Sequence, residues 1–374
     1  LNNSGLIESN DQYFGMAVDI DGDGDGSSMR NSGVIKGPVS VLGAGVSLVN
    51  LVDGEIESAP DRFAGVTVSG SDVFIKNNGS IINDGWGVSG GTGVEGATLR
   101  NFGQIEALTS GGPTGEGGFG VRFTGSDILV VNAGEITGWD VGVSLTGDGA
   151  HLRNSGEIGT SETGEDTFAV LLTGEDTFFR NYGVVNGDVV FERAAEFDEN
   201  SGALSGNYNG IDGVVNGVIT MSEGDDLAKG GAETDIIEGR GGADVLNGNG
   251  GADQLSGGAG DDMLTGGADA DRFVFDLDNG DDVVTDFEAG LDTLDLRNLG
   301  PLDPADAGLA ASETADGVLI DLAVLGASGT VLLEGVARSE LDLGDVLFTT
   351  AEPQVALDMA PDGIECCWGD APLS

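Results

Sequence analysis

Short runs of alternating apolar and polar residues, each closed by a glycine-bearing turn, occupy the first 215 residues. Gly45-Val46-Ser47-Leu48, Gly65-Val66-Thr67-Val68, Gly120-Val121-Arg122-Phe123 and Gly142-Val143-Ser144-Leu145 are representative. A period of two predicts strands with one buried face, and the glycines mark the turns between them. A second phrase, Asn-x-Gly-x-Ile, recurs between these runs at residues 3–7, 31–35, 77–81, 101–105, 132–136 and 154–158. Looser copies stand at 181–185 and 200–204, while residues 52–56 keep the glycine and isoleucine without the asparagine.

Successive phrase glycines, from Gly5 to Gly202, lie 19 to 31 residues apart, which suits one coil of two or three strands with loops of variable length. Strands this short cannot bury a face alone, so neighbouring coils must supply each other's core. The expectation is an all-β chain that begins as a parallel β-helix, with right-handed coils. Ile, Leu and Val columns fill its interior, and the recurrent asparagines stack in an internal ladder that bonds the turns.

From Met221 to Val274 the period becomes nine, in six consecutive segments. Their sixth positions are Asp226, Asp235, Asp244, Asp253, Asp262 and Asp271, and their eighth positions are Ala228, Ile237, Leu246, Leu255, Leu264 and Phe273. If each nonapeptide supplies one tight turn and one short strand, two complete a coil and residues eighteen apart are stacked. Asp226 then lies on Asp244, Asp235 on Asp253, Asp244 on Asp262 and Asp253 on Asp271. At a strand spacing of about 4.8 Å, two such charges repel by roughly 3–4 kcal/mol at an effective dielectric near 20. A hard dication between stacked carboxylates and turn carbonyls reverses that sign, and oxygen-only ligation is what calcium favours. The turn glycines Gly224, Gly231, Gly242, Gly251, Gly258, Gly260 and Gly267 allow the backbone to aim its carbonyls inward. Arg240 and Asn249 replace the second-position glycine of their segments, and Glu233 and Asp269 the fourth.

Charge sharpens this picture. The 374 residues include 65 Asp and Glu against 14 Lys and Arg, a formal net charge of −51, together with 68 glycines. Such a chain repels nucleic acid and acidic membranes and calls for cations. The 39% hydrophobic content is enough for a core, so the acidity does not imply disorder. No apolar run is long enough for a transmembrane helix. The chain starts at Leu1 without a signal-peptide pattern, which points to prior processing or to another export route.

The consensus Gly-Gly-x-Gly-x-Asp-x-apolar-x, best kept in residues 257–265, resembles the repeat of RTX (repeats-in-toxin) calcium-binding secreted proteins. Residues 271–275, 279–287 and 291–296 are similar to the segment that closes the β-roll in that family, serralysin-type proteases included. The resemblance implies several bound calcium ions, with Asp278, Asp281 and Asp282 completing a terminal site. It also implies a C-terminal type I secretion signal in a Gram-negative bacterium, with folding by calcium outside the cell. The N-terminal half resembles the β-helical passenger domains of bacterial autotransporters. The expected organisation is a β-helix over 1–215, a calcium β-roll over 216–296, capping strands and secretion region over 297–348 (with strands at 317–321, 329–333 and 343–348), and a tail over 349–374.

Other chemistry is sparse. His151 is the sole histidine, which excludes a multi-histidine zinc site. The adjacent Cys366 and Cys367 exclude a disulfide framework and leave a vicinal disulfide, an intermolecular bridge or free thiols. Asp19, Asp21, Asp23 and Asp25 resemble the start of an EF-hand loop but lack its closing glutamate, so a loop calcium site and a solvated acidic insertion both stand as readings. A basic residue precedes the ladder asparagine in five coils: Arg30, Lys76, Arg100, Arg153 and Arg180. Alternation turns them outward as a stripe. Two readings are open: local pairing with acids such as Glu106, Glu135 and Glu157, or docking of an anionic cell-surface glycan or an acidic neighbouring subunit. The preferred function is a secreted, calcium-binding structural or adhesive protein able to self-associate, more in keeping with a non-enzyme. The alternative is a secreted polysaccharide lyase or epimerase built on the β-helix.

Overall fold

In the computed structural model the described residues are 1–8, 17–22, 26–58, 64–109, 117–162, 167–192, 206–210, 213–302 and 310–350. They build a parallel β-solenoid. Through the shaft each coil contributes a strand to each of three sheets, in the order of Phe74–Asn77 on sheet A, Ser80–Asn83 on sheet B and Val88–Glu95 on sheet C. Sheet A runs to sixteen strands, sheet B to nine and sheet C to fourteen among the described residues. Sheet B stops at Val214–Val215, and from there to Thr293–Asp295 successive strands alternate between sheets A and C. A nonapeptide has room for one turn and one strand, so coils of eighteen residues flatten from three walls to two.

The apolar columns run in register along the axis. On sheet B Ile35, Ile56, Ile81, Ile105, Ile136, Ile158 and Val185 stack one above another, all fully buried. On sheet A the interior column passes without a break from Phe179 through Tyr208, Ala228, Leu246 and Leu264 to Val284. One continuous core therefore spans shaft and roll, and burial of a branched side chain at every coil contributes about 1.5–3 kcal/mol each.

The asparagine ladder is present. The side-chain amide of Asn77 donates to Asn101 Oδ1 (2.9 Å), that of Asn101 to Asn132 Oδ1 (2.9 Å) and that of Asn132 to Asn154 Oδ1 (2.8 Å). Each amide also reaches the backbone carbonyl two residues on, as Asn101 reaches Gly103 at 3.1 Å, so the buried polar group and its turn satisfy each other. The glycine of the phrase is required by close approach: a Cβ on Gly103 would lie 2.0 Å from the Gly79 carbonyl oxygen of the neighbouring coil.

One expectation about this ladder needs correction. The coil containing residues 52–56 has not lost its asparagine: Asn50 fills the place, bonded to Asn31 and Asn77, and a wider turn lets its amide reach the Gly54 carbonyl at 3.0 Å. The copy at 200–204 lies outside the described residues. The coil after Asn181 has Gly206–Asn209 on sheet A and Val214–Val215 on sheet B. There Arg180 is opposite Asn209, so Gly210 follows where another ladder asparagine would stand.

Past the roll, Gly317–Asp321 and Ser328–Glu334 form an antiparallel pair, and the latter strand continues sheet A beside Asp278–Val284. Residues 343–345 form a 3-10 turn rather than the start of a strand; the strand that follows is Val346–Leu347. Asp19 and Asp21 face solvent from the strand Val18–Gly22 on sheet C, which removes them from an EF-hand-type loop. Asp23, Asp25, Cys366 and Cys367 lie outside the described residues. No helix among the described residues is long and apolar enough to cross a membrane.

Candidate metal centre

The six nonapeptide aspartates are buried, between 1% and 4% exposed, and the stack of eighteen is realised. The backbone N–H of Asp226 donates to Asp244 Oδ1, that of Asp235 to Asp253 Oδ1, that of Asp244 to Asp262 Oδ1 and that of Asp253 to Asp271 Oδ1, each at 2.8 Å. Two further acids extend the columns. Asp282 accepts from the Asp262 N–H and Asp292 from the Asp271 N–H, both at 3.0 Å.

The second carboxylate oxygens divide the ladder. Asp226 Oδ2 accepts from the Ser222 N–H (2.8 Å), Asp235 Oδ2 from the Gly231 N–H (2.7 Å) and Asp292 Oδ2 from the Glu288 N–H (2.8 Å). The Oδ2 atoms of Asp244, Asp253, Asp262 and Asp271 are buried and accept nothing. An ionised oxygen left without a donor in the interior costs several kcal/mol. Each sits over the first glycine of its own nonapeptide: a Cβ on Gly239, Gly248, Gly257 or Gly266 would come within 2.0–2.3 Å of the Oδ2 of Asp244, Asp253, Asp262 or Asp271. The same imagined Cβ on Gly239 lies 2.4 Å from the Gly257 carbonyl oxygen, and on Gly248 2.7 Å from that of Gly266. A carboxylate oxygen and a peptide oxygen thus converge on a space that only glycine leaves open.

Around them the turns keep left-handed backbone. Gly258 and Gly260 have φ of +96° and +128°, and Gly267 has +109°. Arg240 (+77°), Asn249 (+71°) and Asp269 (+82°) hold the same conformation in place of glycine, so the turn shape survives those substitutions; a non-glycine residue there costs about 1 kcal/mol or more. Gly242 and Gly251 are left-handed too, the first packed on Gly224 and the second on Glu233 of the coil below.

Burial raises the carboxyl pKa values first, and the stacked carboxylates add to it, against the opposing effect of the backbone hydrogen bonds. Asp244 is pushed up to about 8, Asp253 and Asp282 to about 7, and Asp262 and Asp271 to about 6. Asp235 and Asp292 are raised by the same burial. Without a cation the stack therefore resists full ionisation. Among the described residues no three His, Cys, Asp or Glu side chains converge on one point. Any ion held here takes one or two carboxylate oxygens and completes its shell from backbone carbonyls, a hard all-oxygen set of the kind calcium accepts and zinc does not prefer.

Of the three acids expected to close the roll, only Asp282 joins the ladder. Asp278 is exposed and accepts from Ser328 Oγ (3.3 Å), and Asp281 is exposed and accepts from Thr330 Oγ1 (2.9 Å). Asp292 was not singled out from the sequence because it follows Asp271 by 21 residues instead of eighteen. Its signal was the Asp-x-apolar pattern it shares with the repeats, Asp292-Thr-Leu294. Asp286 was missed as well; its two oxygens accept from the Gly266 and Gly267 N–H groups at 2.9 Å. His151 stands exposed on the outer face of sheet A, its ring 5.7 Å from that of Phe178.

A two-walled parallel roll with a ladder of inward aspartates over left-handed glycine turns is a calcium-binding β-roll. Residues 222–255 and 247–284 match the RTX calcium-binding nonapeptide repeat (4 copies), so this part of the chain is an RTX calcium-binding repeat region. No curated protein matches the chain. Among solved structures, a similar one is the solution structure of the AlgE6R3 subunit from the Azotobacter vinelandii mannuronan C5-epimerase. It is 29% identical, over 40% of this chain and 93% of that one, with a TM-score of 0.30.

Proposed function

We propose that the protein is a secreted structural or adhesive rod of the cell surface or extracellular matrix, locked into shape by calcium once outside the cell. The observation that carries this reading is the set of four buried, partnerless Oδ2 atoms on Asp244, Asp253, Asp262 and Asp271. They make the roll dependent on cations, and the roll shares sheets A and C and one core with the shaft. At low calcium the ladder is repulsive and the chain stays open, the state an export channel needs. At millimolar calcium the ions bind only the closed ladder, so their binding free energy becomes folding free energy. The closed roll then offers the shaft a finished coil on which to stack.

The test is a calcium titration of the full chain followed by far-UV circular dichroism, with electron microscopy of the same samples. Rods or ordered polymers that appear with calcium and dissolve with a chelator are expected. A chelator-insensitive β spectrum would remove the calcium-folding argument, and compact particles without a rod or polymer form would remove the structural one.

A further inference from the structure

The outer face of sheet A along the shaft is set apart from the rest of this acidic chain. Its strands Ser28–Asn31, Ser47–Asn50, Phe74–Asn77, Thr98–Asn101, Leu129–Asn132, His151–Asn154 and Thr177–Asn181 contain no aspartate or glutamate. Five of the chain's 14 basic residues stand there instead. Strand register places them in one column, Arg30, Val49, Lys76, Arg100, Val131, Arg153 and Arg180, all on the side opposite the buried ladder. Six strand steps of about 4.8 Å give the column a length of about 29 Å.

Of the two readings open for these cations, pairing with the named acids is not formed. Glu106, Glu135 and Glu157 stand on sheet B and accept from Gln104, Thr137 and Asn186 respectively. Among the described residues the ion pair formed is Arg297 with Asp295, and none of the five stripe cations takes part in one. Three of the five lie against aromatic rings. Lys76 Nζ lies 5.2 Å from the centre of the Phe102 ring, the Arg100 guanidinium 5.9 Å from that of Phe74, and the Arg180 guanidinium 5.3 Å from that of Phe178 and 6.0 Å from that of Tyr182. Phe102 and Tyr182 are 49% and 45% exposed, large apolar surfaces that the fold leaves in water.

We infer that this face binds a linear acidic polysaccharide, one that carries a carboxylate on each sugar. Unpaired cations at multiples of the strand spacing match a regular row of anions, because an extended 1,4-linked sugar chain rises by a similar distance per residue. Exposed rings beside them offer apolar faces on which the C–H face of a sugar ring can lie. A neutral glycan would leave the cations unused. The acidic sheet B of a second copy would match the charges but would bring two strongly negative chains together and give the rings nothing to stack on. This site lies on the shaft, outside the calcium ladder, and does not rest on the calcium-folding reading.

The calcium-loaded full chain is to be passed over immobilised polygalacturonate, with uncharged dextran as control, at stepwise salt. Retention on polygalacturonate alone, weakening as salt rises, is expected. The double variant Arg100→Glu, Arg153→Glu should lose at least about tenfold in affinity, and Arg100→Gln, Arg153→Gln somewhat less, with the calcium midpoint of folding unchanged. Phe102→Ala with Tyr182→Ala should weaken retention with little change in its salt slope. Bridging through calcium is common to all these proteins and so does not alter the comparison. Equal retention on dextran, or double variants that bind as tightly as the parent, would overturn the proposal. So would absence of polygalacturonate binding alongside a salt-sensitive self-association that the same variants abolish, which would assign the face to a second copy.

Discussion

The backbone N–H of Asp244 donates to Oδ1 of Asp262 at 2.8 Å and leaves Oδ2 of Asp262 buried without a donor. One oxygen of each central aspartate holds the coil below; the other, buried and without a donor, is the atom we propose for the cation.

Asp262→Asn separates the two roles. The amide oxygen can still accept from the Asp244 N–H, while the charge is gone. Without calcium the variant should be as well folded as the parent or better, since a stacked charge has been removed. With calcium, titration calorimetry should show at least one site weakened, by about 1.5–3 kcal/mol if a charged contact is lost. An unaltered calcium isotherm would count against Asp262 as a ligand.

Gly257→Ala should close the cradle. Its methyl would lie 2.0 Å from Asp262 Oδ2, with φ in an ordinary range, so the effect is occlusion and not backbone strain. A loss of about 1–3 kcal/mol in calcium-dependent stability is expected. Gly250→Ala is the control, since its methyl would meet nothing nearer than Ala232 Cα at 3.8 Å. Equal thermal shifts in the two variants would remove the cradle from the argument.

Acid should substitute in part for calcium. The ladder carboxyls have folded-state pKa values raised above the ordinary value of 3.8, to between about 6 and about 8, so the folded roll holds protons that the unfolded chain releases. For a raised acid the stabilisation is full below the unfolded pKa and is lost as pH climbs through the folded one. In chelator, β structure should therefore be greatest near pH 4 and decline between about pH 6 and 8, and calcium should matter most at the alkaline end. Circular dichroism across that range checks this, and a flat profile would contradict it.

Asn101→Leu tests the internal ladder. It removes the donor to Asn132 Oδ1 and to the Glu135 carbonyl, and takes from the Asn77 amide its side-chain acceptor, all in a buried column. Urea unfolding of the calcium-loaded protein should show a loss of about 2–4 kcal/mol. A change within about 0.5 kcal/mol, the range of ordinary surface substitutions, would mean that the ladder is not structural.

Much of this was legible beforehand because repetition does the work of an alignment within one chain. The period of nine from Met221 placed Asp226, Asp235, Asp244, Asp253, Asp262 and Asp271 in two columns, and the structure stacks them that way. Where the period broke, the reading failed in a consistent manner. Asp292 follows at a spacing of 21, and two extra residues widen the turn after Asn50, so a count of the period finds neither. An insertion changes which residues face inward without changing their composition, and a count cannot see it.

The sequence by itself determined the parallel coils, the inward columns and the cation demand of the aspartates. Those follow from local periodicity and from charge, and each coil repeats them. Only the tertiary structure decided which carboxylate oxygens remain unpaired, that Arg240, Asn249 and Asp269 keep the turns left-handed, and that Lys76, Arg100 and Arg180 of the stripe meet aromatic rings rather than Glu106, Glu135 and Glu157. These depend on what the neighbouring coil presents across a strand spacing, a relation between residues far apart in the chain that no single repeat encodes.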